Sequence, residues 1–205
     1  MKYIYYSFIT IMLISCGNSS NTKVNKEGGD TETEMSLFRI KNAQDINVSD
    51  FEFEGEIVNK KVWQDDNGEN VVLFAIKERE ELFVYHYASE FNQTRLLRKV
   101  YDFEKDCEFD QTLEFLEQSI GITDLDKNGL GEITFAYKKA CISDVSPLEL
   151  KLLMLENGNK YIIRGNTLIK MGEETFGGNK TIDPTFEQAP PNFLLHANKV
   201  WSAIR

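Results

Sequence analysis

Histidine is almost missing from this chain of 205 residues: His86 and His196 are the only two. A Ser/His/Asp or Cys/His site needs an imidazole beside its nucleophile, so one of these two would have to serve. The ordinary reading of each is a satisfied or surface histidine. Cysteine is sparse as well. Cys16, Cys107 and Cys141 have no second cysteine or histidine at zinc-ligand spacing. No GxGxxG, phosphate-loop lysine or GxSxG is present, and Gly177-Gly178-Asn179 is a loop without a phosphate-binding context. Basic residues are outnumbered, 23 against 33 acids, for a net charge of −10. Such a balance suits no nucleic acid and no anionic phosphate surface. No internal repeat is evident, which disfavours a full propeller or a solenoid.

Long apolar runs are also lacking, but a short one opens the chain. Met1-Lys2 is followed by uncharged residues through Leu13-Ile14-Ser15, and then Cys16-Gly17. The run is about a dozen residues, where a spanning helix needs about 20. A basic start, an apolar stretch and a small residue before the cut make a secretory signal. With the cut at a cysteine, the pattern resembles the lipobox of bacterial lipoproteins. The resemblance implies a cleaved signal over positions 1–15, acylation of Cys16 and attachment to a membrane of the bacterial envelope. Gly17 in place of Asp implies the outer membrane, on its periplasmic or exposed side. A retained signal anchor is the alternative. Positions 16–35, rich in Asn, Ser, Thr, Lys, Gly and Glu, read as a flexible tether that cannot bury enough apolar surface to order itself.

Positions 36–205 read as one domain, mainly β, built of antiparallel, propeller-blade-like hairpins and ending in an amphipathic helix. Asp65-Asp66-Asn67-Gly68 separates Glu56-to-Trp63 from the run Val71-Val72-Leu73-Phe74-Ala75-Ile76. Asn-Gly tolerates positive φ at both turn positions, so this is a hairpin signal. Residues 82–87, 96–103 and 133–137 are further predicted strands, and Asn157-Gly158 joins another hairpin. Ser146-Pro147-Leu148-Glu149 also carries helix-start chemistry, but the turn and apolar run that follow favour a strand. Phe193, Ala197, Val200, Trp201 and Ile204 fall on one helical face, predicted to pack on the sheet.

The main candidate for chemistry is Asp124-Leu125-Asp126-Lys127-Asn128-Gly129-Leu130-Gly131-Glu132. Calcium takes six to eight hard oxygens. Asp124, Asp126 and Asn128 alternate, Gly129 allows a sharp turn, and the Leu130 carbonyl with the Glu132 carboxylate would complete the shell of a structural ion. An EF-hand closes with an acid at its twelfth position, which here is Phe135. The loop instead resembles shorter calcium loops between strands, closed by an acid at position nine. The alternative is a turn in which Asp and Asn bond their own backbone. In an oxidising compartment Cys107 and Cys141 are expected to form one disulfide, which would also clamp the loop between them; two separate buried thiols are the alternative. The acids Asp102, Glu104, Asp106, Glu108 and Asp110 read as a solvated face, although two carboxylates at the right separation could serve a glycosidase.

Four segments carry a family resemblance: DLDKNGLGE (124–132), FAYKKAC (135–141), SDVSP (143–147) and KYIIRGN (160–166), with Cys107 upstream. Residues 122–165 resemble bacterial lipoproteins labelled as surface polysaccharide biosynthesis proteins. The resemblance implies a part in making or displaying surface glycan and supplies no catalytic residues. The expectation is a non-catalytic binding or scaffold protein with a glycan or envelope-protein partner. An envelope glycan-acting enzyme using a carboxylate pair is the alternative.

Overall fold

The run Val71 to Ile76 is apolar at every position because both of its faces are covered. In the computed structural model, which describes residues 37–205 apart from 92, Val72 and Phe74 point into one core while Val71, Leu73 and Ala75 point into another. The signal, Cys16 and the tether lie outside the described residues.

The strand that carries this run, β3 (Gly68–Lys77), belongs to an antiparallel meander with β1 (Arg39–Ile40), β2 (Glu56–Asp65), β4 (Glu81–Glu90) and β5 (Gln93–Phe103), in the order β1-β2-β3-β4-β5. A second antiparallel sheet contains β6 (Asp110–Phe115), β7 (Gly121–Thr123), β8 (Glu132–Ile142), β9 (Glu149–Glu156) and β10 (Asn159–Asn166). A small hairpin of β11 (Leu168–Met171) and β12 (Glu174–Gly177) follows, and β13 (Lys180–Ile182) then pairs with β10. The order is β13-β10-β9-β8-β6, with β7 also on β8. The expected mainly β, antiparallel architecture with a terminal helix is present. Among the described residues the hairpins gather into two facing sheets, without closure into a barrel and without repeated propeller blades.

Trp63, Phe74, Leu82 and Val84 of the first sheet meet Ile133, Phe135, Leu153 and Leu155 of the second. Phe74 and Phe135 pack edge to face, ring centroids 5.4 Å apart, an arrangement favoured by the ring quadrupole. The outer face of the first sheet is covered by a strap that includes Ile46, Val48, Phe51 and Phe53. Two 3-10 turns shape it, and the side chains of Asn42 and Asn47 cap them by accepting the Gln44 and Ser49 N–H groups. The Glu54 N–H donates to the Tyr85 hydroxyl at 3.1 Å, and the Tyr87 hydroxyl donates to the Glu52 carbonyl. The outer face of the second sheet is covered by α1 (Pro191–Ile204). Phe193, Ala197 and Trp201 are buried there against Ala136, Leu150, Leu152 and Met154. Pro191 takes the first turn, where its missing N–H costs nothing.

The β2–β3 turn departs from expectation in one detail. Gly68 alone of the Asn-Gly pair has a positive φ, 93°. Asp65 pairs directly with Gly68, so Asp66 and Asn67 make the turn and glycine takes the left-handed position after it. At the β9–β10 turn both Asn157 and Gly158 have positive φ, 42° and 80°, as a tight two-residue loop requires. The segment 146–149 does not form a helix: β9 begins at Glu149, and before it the Thr167 N–H donates to the Leu148 carbonyl while the Leu148 N–H donates to the Thr167 hydroxyl, both at 2.9 Å.

Candidate functional site

The loop 124–131 joins β7 to β8 and is folded by its own polar side chains. Asp126 Oδ1 accepts the Asn128 N–H at 3.2 Å, and Asn128 Oδ1 accepts the Leu130 N–H at 2.8 Å. These two Asx turns reverse the chain, with Lys127 and Gly129 in the left-handed region. A carboxylate oxygen from each of Asp124, Asp126 and Glu132 then lies within 4.8 Å of the others. Three of the five predicted ligands are thus brought together. The Asn128 amide donates to Glu156 Oε1 at 2.8 Å. Leu130 is half-buried, held through its N–H to Asn128.

Glu132, the first residue of β8, is completely buried. The Thr123 hydroxyl donates to it at 2.8 Å, and the Leu125 N–H sits 3.1 and 3.0 Å from its two oxygens. Burial nonetheless dominates and pushes its pKa up to about 7, with the charges of Glu156 and Asp126 adding to the rise. Glu156 faces Glu132 across the β8–β9 ladder. Its pKa is also raised, first by burial and then by Asp126 and Asp124, against the lowering effect of Asn128. One oxygen of Asp124, Oδ1, is buried with no hydrogen-bond partner among the described residues. Asn192 on α1 donates to the Leu125 carbonyl at 2.5 Å, and its own Oδ1 is likewise buried without a partner. The three converging carboxylates and the unpartnered Asp124 oxygen form an oxygen-rich donor set of the kind that suits calcium. The fit is to a hard divalent cation.

Glu156 and Asn192 were not foreseen from the sequence. Neither has a local signal: strand register brings Glu156 opposite Glu132, and helix packing brings Asn192 to Leu125.

The far end of the loop is clasped by the β2–β3 turn. Asp65 Oδ2 accepts from Trp63 Nε1 at 2.8 Å and from the Gly131 N–H at 2.9 Å. Its Oδ1 accepts from the Asn67 N–H at 2.8 Å and from the Asn70 amide at 2.7 Å. The Asp66 N–H donates to the Gly129 carbonyl at 3.0 Å. A Cβ on Gly131 would collide with the Trp63 ring, so a side chain cannot be fitted there. Four donors satisfy the buried Asp65 carboxylate, and one of them, the Gly131 N–H, comes from the acidic loop.

His86 ends this network. Asn70 spends its amide N–H groups on Asp65 and Gly68, so its oxygen is the acceptor and His86 Nε2–H is the donor, at 3.0 Å. Its Nδ1 is buried and unpartnered, and burial lowers the pKa to about 3. His86 is therefore a neutral core residue with one nitrogen satisfied, neither fully satisfied nor exposed. His196 is half-buried on α1, its pKa lowered by burial and by Lys199.

The acid run after residue 101 is not uniformly a solvated face. Asp102 is mostly enclosed between the sheets and accepts from the Tyr137 hydroxyl at 2.6 Å and from Lys151 at 2.5 Å, with Lys139 at 3.2 Å. Burial alone would raise its pKa, but the bonds from Lys151 and Tyr137 outweigh that and hold it below the usual value. Cys107 and Cys141 form the expected disulfide, Cα atoms 5.6 Å apart. It joins the end of β8 remote from Glu132, roughly 30 Å along an extended strand, so it encloses the acidic loop in sequence without touching it.

Compared with protein-family models, with curated proteins and with solved structures, the chain matches none.

Proposed function

We propose that this chain is a non-catalytic binding and scaffold module whose 124–132 loop is held by a structural calcium ion. We propose further that it is lipid-anchored through Cys16 in the bacterial envelope, most simply at the outer membrane, and serves the assembly or display of surface polysaccharide by contacting glycan or an envelope protein. The observation that carries the reading is the convergence of Asp124, Asp126 and Glu132 within 4.8 Å, together with the unpartnered, buried Asp124 Oδ1. A calcium ion there would neutralise the cluster and satisfy that oxygen. Exposed aromatics on a sheet face support a binding role: Tyr101 and Phe103 lie on β5 with ring centroids 5.7 Å apart and are both about half exposed. Aromatic faces of this kind are common contact surfaces for apolar sugar faces and proteins.

The enzyme reading has one observation in its favour, the raised pKa of Glu132 beside other carboxylates. Its complete burial keeps it from direct contact with a substrate at the surface, which favours the scaffold.

Thermal melting of the full chain in detergent tests the ion. Calcium at 100 times its dissociation constant should add about 2.7 kcal/mol over chelator, and Asp124→Asn should abolish the difference. Equal melting with calcium and with chelator would sink the ion. The glycan role is tested separately, by the surface polysaccharide profile of a deletion strain complemented with wild type; an unchanged profile removes it.

A further inference from the structure

We propose that a surface pocket at the open edge of β10 binds a small ligand through one anionic group, a phosphate or a carboxylate. This inference goes beyond the calcium reading and does not depend on it. The pocket holds about 440 Å³ and is lined by Arg98, Asn159, Lys160, Tyr161, Thr185 and Gln188. Three separate segments meet there: β5, the start of β10 and the turn before α1. Its wall contains two cations and no carboxylate, in a chain of net charge −10. Three other pockets among the described residues differ. Those beside Asp65 and Glu90, beside Asp45 and Glu69, and beside Glu52 and Glu54 all carry acids.

Among the described residues the two cations are uncommitted to any acid. Arg98 Nε and Nη2 both donate to the Gly158 carbonyl. That bond fixes the guanidinium in place and leaves Nη1 for a ligand, so less freedom is lost on binding. Lys160 has neither an ion pair nor a side-chain hydrogen bond, whereas Lys41, Lys77, Lys99, Lys105, Lys138, Lys139 and Lys151 are all paired with acids. Backbone adds a third donor. β13 covers β10 only at Ile163, Arg164 and Gly165, so the edge beside Lys160 is open. In a two-residue hairpin the pair flanking the turn is hydrogen-bonded, here Asn159 with Glu156, and partners alternate from there. Lys160 therefore turns its N–H to the open edge. Glu156, Asp126 and Glu132 act on the Tyr161 phenol through space, after burial, yet none of them lines the pocket. Asn159, Thr185 and Gln188 supply neutral hydrogen-bonding groups around the charged end, as a hydroxyl-bearing ligand would need.

Calorimetric titration of the full chain in calcium-free buffer, with sodium phosphate, with glucuronate and with neutral glucose as separate probes, tests the site. Millimolar binding of phosphate or of glucuronate, with none of glucose, is expected. Phosphate alone would assign a phosphoryl ligand, and glucuronate alone a carboxylate-bearing sugar. Lys160→Met, a half-buried surface position, should weaken the bound anion about tenfold, which is ~1.4 kcal/mol, without shifting the melting temperature. Arg98→Gln should weaken it further. Absence of binding by both anions, binding of glucose as strong as theirs, or equal affinity in wild type and both variants would each overturn the proposal.

Discussion

Replacing Glu132 by Gln separates the charge of the acidic loop from its shape. In the folded protein the Glu132 carboxyl has a pKa of about 7, against an ordinary 4.5. Between those values the folded state keeps the proton and the unfolded state has lost it. Stability contributed by this group is therefore fully present below pH 4.5 and is lost as pH rises through 7. At 1.36 kcal/mol per unit, the loss comes to about 3 kcal/mol by pH 8. Glu156, raised for the same reason, acts in the same direction. Gln fills the same space, can accept the Leu125 N–H, and can donate to the Thr123 hydroxyl once that group rotates. Urea denaturation in chelator at pH 5 and pH 8 is the assay. Wild type should be less stable at pH 8 by up to about 3 kcal/mol, and most of that difference should vanish in Glu132→Gln. Calcium should restore wild type at pH 8 and leave Glu132→Gln unaffected. If the variant kept the full pH dependence, or were less stable than wild type at pH 8 in chelator, Glu132 would be an ordinary stabilising carboxylate and the reasoning would fail.

Three further outcomes follow from the packing. Asp65→Ala strips the acceptor from Trp63, the Gly131 N–H and the Asn70 amide in a buried setting and should cost about 3 kcal/mol or more in denaturant midpoint analysis. Trp201→Ala, on the buried face of α1, should cost about 3–5 kcal/mol, and a loss under 1 kcal/mol would mean that the helix is not docked as described. Reducing the Cys107–Cys141 bridge, sequence separation 34, should lower stability by about 4 kcal/mol in the chain-entropy treatment. It should leave calcium stabilisation intact, because the bridge is remote from the loop.

Strong local signals were readable in the sequence. The two Asn-Gly turns sit between apolar runs, and their strands are where periodicity puts them. The helical face of Phe193, Ala197 and Trp201 is the buried one. Weak or non-local signals were not. β6 is a half-exposed strand interrupted by Asp110 and Glu114, so its alternation is masked. The short strands β11 to β13 bury little, and their pairing comes from neighbours rather than from composition. Strap residues such as Phe51 and Phe53 gave no strand signal, yet without them Phe83, Tyr85 and Tyr87 would be bare. In the acidic loop, the spacing of Asp124, Asp126 and Glu132 was sufficient to bring them together, because a tight turn confines them. The spacing did not show that the Asn128 side chain also bonds the Leu130 N–H and Glu156.

The position of that loop makes it more than a surface decoration. Its acidic half rests on β8, β9 and α1, through Glu132, Glu156 and Asn192. Its other half is held by the first sheet, through Asp65 and Asp66. The Asp65 network continues through Asn70 to His86 in β4. The carboxylate cluster therefore sits on a segment that ties both sheets to the helix, and a cation there would steady all of these attachments at once. Such an ion would act as a structural fastener between layers, so its removal should loosen the β2–β3 turn and the start of α1 together. Amide hydrogen exchange of the Asn67 N–H, bonded to Asp65 in the turn, and of the Phe193 N–H, measured with and without calcium, should rise in parallel when the ion is withdrawn; a change confined to the loop would show that the layers are held independently.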